Sequence, residues 1–297
     1  MVIEVVPSGQ DVGAEVRGLK ISEPLAATDI SALEGAFVEH QVLVFRGQPL
    51  LPRQFSNFSA QFGHLQRHIQ SAYWHPEVPE IVFNRNVDNE GNIDELAARR
   101  GVTENLRTGW HSDTTYDAIP AKATSVHALE VPSSGGNTCF ASAHRAYELM
   151  PDDLRHRVAN LKVEFALGNN PRNKTAHYLG SRLNDDDKAR PIVTHPVICQ
   201  HPVSKKPAIY ANPLIAVGIH GVNAEESDEI LERLYDCLHA ASADEYRWEQ
   251  EWEVGDTIMW ENRGGLMHTG RLDYPENERR IMIRCTIGSS PIEAYEG

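Results

Sequence analysis

Short runs rich in β-branched and aromatic residues, at 42–45, 81–83, 123–129, 191–195, 208–210, 257–260 and 280–287, recur along the chain with Gly, Pro and Asn between them. A run of this length covers one face of a sheet but cannot close a core alone, so the pattern predicts strands stacked as a sandwich or barrel. No repeat, low-complexity tract or Pro/Ser linker divides the sequence, which predicts one domain over 1–297. With 297 residues, 41% of them hydrophobic and 24% charged, the chain has an ordinary globular makeup and the size to enclose a site completely.

Helices are fewer. Thr28 is placed as an N-cap with Ile30, Leu33 and Phe37 on one face. Pro52 opens a second helix whose Phe55, Phe58 and Phe62 point inward before Gly63 stops it. A third covers about 224–239, with Ile230, Leu231, Leu234 and Leu238 as its apolar stripe. Helical spacing assigns these side chains to core packing rather than to a cofactor. The stretches 84–109 and 168–190 carry no such pattern. Structureless loops this long are uncommon in compact domains and often serve as lids, so 168–190 is a candidate lid, the alternative being a plain surface excursion.

Charge limits the partners. Twenty-eight Lys and Arg against 42 Asp and Glu leave a net charge of −14, a field that repels polyphosphate and anionic lipid. Nucleic acid and membrane are therefore not expected. An anionic ligand needs a few cations placed locally, and the last strand-like run supplies them. Period-two alternation puts Arg280, Met282, Arg284 and Thr286 on one face and Ile281, Ile283, Cys285 and Ile287 on the other. The aliphatic face reads as packing between layers and the arginine face as the wall of a polar pocket, because guanidinium groups are seldom buried without an anion. Arg279 falls on the aliphatic side and is expected to escape to solvent; ordinary surface ion pairs are the alternative for Arg280 and Arg284.

Cys139, Cys199, Cys237 and Cys285 are too far apart for a metal knuckle and too few for a disulfide scaffold in a chain this long. The first residues show no basic region followed by an apolar stretch, and no apolar run approaches the roughly 18 residues of a membrane span. A cytoplasmic, untargeted protein is expected.

Among 14 histidines, the company each keeps is the useful filter. His111 and Asp113 in GWHSDTTY stand two apart, and on an extended strand they would share a face and a cation. His268 follows a strand-like segment far away in the chain. Two histidines and one carboxylate, two of them close and the third distant, match the facial triad of non-haem Fe(II) oxygenases, which leaves one face of the metal open.

The chain resembles the taurine dioxygenase family of Fe(II)/2-oxoglutarate-dependent oxygenases, which includes chlorophenoxyacetate dioxygenases. The likeness runs through VGAEVRGLKISEPL, HQVLVFRGQPL with a helix ending QFG, WHSDTTY, VPSSGGNTCFASAHRAYELM, WEVGDTIMWENR, HTGRLDY and RRIMIR, in that order. It implies a mainly β fold, a double-stranded β-helix or jelly roll with flanking helices. It also implies His111, Asp113 and His268 as iron ligands, Thr138 as a hydrogen-bonding partner of 2-oxoglutarate, and Arg280 as the partner of its distal carboxylate. Arg284 matches a second family arginine near substrate or cosubstrate, and His68 and Tyr73 are similar to positions lining the substrate cavity. The interval from His268 to the double arginine is one residue longer than the family pattern, which makes Arg279 a rival that strand alternation rejects in favour of Arg280.

The implied chemistry uses Fe(II), 2-oxoglutarate and O2, decarboxylates 2-oxoglutarate to succinate and CO2, and oxidises a small organic acid, most simply by hydroxylation. Relatives form dimers or tetramers, so a homo-oligomer is expected. Two rival readings are a zinc hydrolase using the same three ligands with an activated water and an inactive jelly-roll protein that binds a small anion. The hydrolase leaves Thr138 and the paired arginines without a role.

Overall fold

The computed structural model describes residues 3–69, 71–94, 109–167, 184–185 and 189–297. Its largest layer is an eight-stranded sheet. The order is β1 (Glu4–Pro7), β2 (Ala14–Arg17), β3 (Val42–Phe45), β14 (Thr257–Glu261), β6 (Ala123–Glu130), β16 (Ile281–Ile287) and β4 (Leu65–Gln66), with β5 (Ile81–Arg85) also paired to β16. Three smaller sheets accompany it. One joins β13 (Trp248–Gln250), β7 (Thr138–Ser142) and β15 (Leu266–Gly270). Another joins β12 (Ala216–Ile219), β8 (Lys162–Phe165) and β9 (Val193–Pro196). The last joins β11 (Pro207–Ile209), β10 (Ile198–Gln200) and β17 (Glu293–Ala294).

The alternation expected of the last long strand is present. Ile283, Cys285 and Ile287 pack with Leu33 and Phe37 of α1 (Ala27–His40) and with Phe55 and Phe58 of α2 (Pro52–Ala60). Met282 packs on the opposite face, among Val42, Val126, Ile258 and Trp260 of the large sheet and Phe140 and Leu266 of the facing one. That second cluster is the interior of a sandwich, and helices α1 and α2 cover its outside. Each fully buried aromatic such as Phe55 or Phe58 contributes about 1.5–3 kcal/mol by leaving water. The other face of β7 gives Cys139 and Ala141 to a third cluster, shared with α3 (Ala143–Glu148), α4 (Asp152–Val158) and α5 (Ala224–Ala240).

Local details depart from expectation where caps were read from residue type. Helix α1 begins one residue before Thr28, with Ala26 as N-cap and no side-chain cap. Helix α2 ends at Ala60, so Phe62 is buried just past its end and Gly63 lies beyond the stop. By contrast, Asn223 caps α5 by accepting from the amide of Glu226 at 3.0 Å. His268 lies within β15 rather than after a strand. The HxD pair does not ride an extended strand: His111 makes one isolated bridge, and Asp113 sits in a turn beside Thr114, whose φ is 56°. Most of the candidate lid at 168–190 lies outside the described residues, as does 95–108 of the other long loop. No helix among the described residues is long and apolar enough to cross a membrane.

Candidate active site

Backbone pairing brings the distant histidines together. The amide of His111 donates to the carbonyl of His268 at 3.0 Å, and the amide of His268 donates back at 2.8 Å. The imidazoles then face one another with ring centroids 4.2 Å apart. The turn after His111 swings Asp113 under both rings, with Oδ1 3.9 Å from Nε2 of His111 and Oδ2 3.9 Å from Nε2 of His268. One donor atom from each of the three residues lies within 4.8 Å of the others.

The donor set suits a divalent metal. Nδ1 of His111 is 2.9 Å from the Gly109 carbonyl, so its hydrogen is used there and the Nε2 lone pair is left facing Asp113. Burial holds the His111 imidazole below its ordinary range and pushes His268 down to about 3, so both rings are neutral near pH 7. Burial alone would raise the Asp113 carboxyl, but the Arg284 guanidinium beside it and the Thr124 hydroxyl hold it well below the usual carboxylate range. Two neutral imidazoles and a carboxylate are the ligand chemistry of a non-haem iron site.

Three residues that motif reading passed over hold the carboxylate in place. Oδ2 of Asp113 accepts from Oγ1 of Thr124 at 2.6 Å and from Nε1 of Trp260 at 3.1 Å. Asn262 accepts from the Asp113 amide at 3.2 Å and donates to Thr124 at 2.9 Å. Thr124 and Trp260 are cross-strand partners on β6 and β14, two buried donors side by side. That pairing is the signal the sequence held, and it needed the strand register to be seen.

A cavity of about 300 Å³ opens over the triad. His68, Tyr73, Thr138, Arg280 and Arg284 all line it, so every candidate site residue is brought to one place. Thr138 accepts from Nε1 of Trp252 at 3.1 Å, which leaves its hydroxyl hydrogen to donate to a ligand. Burial in the cavity wall pushes His68 down to about 4, with the Arg284 charge adding to the effect. Arg284 lies with Nη2 3.2 Å from Oδ1 of Asp113, so it pairs with a protein carboxylate.

Arg280 stands differently. Its amide donates to Oδ1 of Asn86 at 2.7 Å and its Nε to the Gly136 carbonyl at 3.1 Å, and it makes no ion pair among the described residues. Gly135 and Gly136 allow this approach: both have φ of 69°, and a Cβ on Gly136 would press on Tyr274 and on Cδ of Arg280 at 3.2 and 3.4 Å. Burial lowers the Arg280 pKa from its ordinary value, as expected of a cation set in a wall without a counter-ion.

A sequence profile of the taurine catabolism dioxygenase TauD, TfdA family matches residues 4–286. The chain belongs to that family. An alpha-ketoglutarate-dependent 2,4-dichlorophenoxyacetate dioxygenase of Cupriavidus pinatubonensis is 30% identical over 92% of this chain and 93% of its own. Pentalenolactone F synthase of Streptomyces avermitilis is 28% identical over 97% and 94%. Among solved structures, AAD-2 in complex with Mn(II) and N-oxalylglycine superposes with a TM-score of 0.79 at 23% identity, covering all of both chains, which shows the shared fold. The TauD/TfdA fold is a jelly roll, and this member is a 2-oxoglutarate-dependent dioxygenase, an oxidoreductase that uses Fe(II), 2-oxoglutarate and O2 on a small organic substrate.

Proposed function

We propose that His111, Asp113 and His268 hold Fe(II), that Arg280 and Thr138 hold the distal carboxylate of 2-oxoglutarate, and that the same cavity takes a small organic acid between His68, Tyr73 and Arg284. The observation that carries the reading is Arg280: a guanidinium in the wall of the cavity that contains the triad, with no carboxylate partner among the described residues. A dicarboxylate that reaches from the triad to Arg280 satisfies both.

When bound, Fe(II) with 2-oxoglutarate and O2 supplies the oxidising power, one oxygen atom entering succinate as CO2 leaves and the other entering the substrate. The protein's part is placement. His111 keeps its Nδ1 hydrogen on Gly109 and presents Nε2. Asp113 stays ionised with Oδ2 fixed by Thr124 and Trp260. The rings of Trp260 and Phe140, with centroids 4.7 and 6.0 Å from that of His268, pack against that imidazole and hold it in place. Arg280 supplies a charge-assisted, fork-shaped contact for one end of the cosubstrate. A zinc hydrolase would leave Arg280 and Thr138 idle, and an inactive anion-binding protein would have no use for the ordered donors around Asp113.

The negative net charge supports a protein that works on small molecules rather than on nucleic acid or membrane, and we infer a single domain over 1–297. The four cysteines are buried and free, which supports a reducing cytoplasm, and by analogy with relatives we infer a homo-oligomer. The test is to supply Fe(II), 2-oxoglutarate and O2 with sulfonates, aryloxy acids, phosphonates and amino acids, and to measure substrate-dependent succinate and oxygen uptake. Succinate that tracks an acidic substrate supports the reading. Turnover that needs zinc but neither oxygen nor 2-oxoglutarate sinks it.

A further inference from the structure

The two oxygens of Asp113 carry different duties. Oδ2 is committed to Thr124 and Trp260. Oδ1 faces Nη2 of Arg284 at 3.2 Å, with Nε2 of His111 farther away at 3.9 Å. With Oδ2 committed, Oδ1 is the oxygen left for a metal, and it already holds a cation. Arg284 reaches it from the middle of β16, where its strand neighbours Val126 and Val82 are apolar and fix the side chain's direction. Its Nε is buried and has no hydrogen-bond partner among the described residues. The guanidinium is thus anchored through Nη2 on the Asp113 carboxylate, its buried Nε is unpartnered among the described residues, and the side chain lines the cavity.

Two cations that draw on one oxygen in a partly dry site repel each other strongly. We propose, on the assignment of Asp113 as a metal ligand, that Arg284 competes with the metal ion for Oδ1, so that metal loading turns the guanidinium over to an anionic group in the cavity. Metal binding and anion binding are then coupled through one side chain. By reciprocity, an anion on Arg284 withdraws the competing charge and tightens the metal by the same factor.

The experiment measures Mn(II) binding to the metal-stripped full-length chain by calorimetry, and separately by the EPR signal of free Mn(II). Arg284→Gln removes the charge and is expected to bind Mn(II) about tenfold more tightly than wild type. Arg284→Lys keeps the charge and is expected to stay within about threefold of wild type. Succinate, titrated with and without Mn(II), is expected to bind about fivefold more tightly or better to the loaded wild type, a gain that shrinks in Arg284→Gln. The proposal is overturned if Arg284→Gln binds Mn(II) no better than wild type, if Gln and Lys change affinity alike, or if Mn(II) leaves succinate affinity in the wild type unchanged. The last comparison needs no variant and so stands even where a substitution fails to fold. His268→Ala separates the two readings. If it abolishes Mn(II) binding while the Arg284 variants do nothing, only the coupling falls; if it binds Mn(II) like wild type, the metal site itself is misassigned.

Discussion

Arg279 and Arg280 are adjacent in sequence and serve opposite sides of one sheet. Arg279 pairs through Nε with Glu130 at 3.0 Å, and both side chains are half exposed, whereas Nε of Arg280 reaches the Gly136 carbonyl at 3.1 Å in the cavity wall. Truncating a buried partner of a charged ligand costs about 2–5 kcal/mol, and an exposed pair is worth less than about 1 kcal/mol. Arg280→Ala is therefore expected to weaken 2-oxoglutarate binding roughly thirtyfold or more, and Arg279→Ala only slightly, by titration of the cosubstrate on each variant. A larger loss for Arg279 would put the strand register off by one.

Removing any one of His111, Asp113 or His268 leaves two donors where a metal needs three. His111→Ala, Asp113→Ala and His268→Ala are each expected to lose high-affinity Fe(II) and turnover together; the two histidine variants are expected to keep a melting transition near wild type, whereas Asp113→Ala also strands Arg284, Thr124 and Trp260 and lowers it. Wild-type activity in any of the three removes that residue from the ligand set.

The donors on Oδ2 of Asp113 make a gentler test. Thr124→Val and Trp260→Phe each remove one hydrogen bond to that oxygen without changing the ligands. Loss of such supporting contacts typically costs 10–100-fold in metal affinity, on the order seen for other ligand-orienting groups. Metal titrations of both variants check this; an unchanged affinity would mean that the carboxylate orients itself.

Glu261 gives a pH dependence away from the cavity. It is fully buried, and burial would raise its pKa, but hydrogen bonds from Arg263 and His201 outweigh burial and bring it down to about 2 from an ordinary 4.5. A depressed carboxylate adds stability above its unfolded pKa and loses it as pH falls through the folded one. Denaturant midpoints are expected to drop between about pH 4.5 and 2, in part through this group. Glu261→Gln strands the buried Arg263, so it should cost about 3–5 kcal/mol at pH 7 and progressively less toward pH 2. A gap between wild type and variant that stays constant down to pH 2 would contradict the assignment.

How much could be read beforehand depended on how local each cause was. The faces of 280–287 follow from strand geometry alone, and Ile283 and Met282 lie on opposite sides as that geometry requires. Thr28 as a cap failed because the chain before α1 enters its first turn at Ala26, with backbone hydrogen bonds to the Ala26 carbonyl. His111 and Asp113 were found for a reason that proved incomplete: they meet through a turn and a bridge to β15, which local spacing does not encode. Thr124, Trp260 and Asn262 were invisible as a group because their common target, Asp113, joins them only once β6 and β14 are in register.

The bridge between His111 and His268 bears on the order in which the molecule is made. It is reinforced by the Ser112 hydroxyl, which donates to the Leu266 carbonyl at 2.6 Å across a sequence separation of 154 residues. During synthesis His111 and Asp113 emerge long before His268, so no nascent chain offers a complete triad until the C-terminal strands have been released and closed onto the sandwich. Contacts this distant in sequence form late in folding. On the proposed ligand set, metal is then expected to load onto a folded chain rather than to organise an unfinished one, and the metal-free protein is expected to be folded.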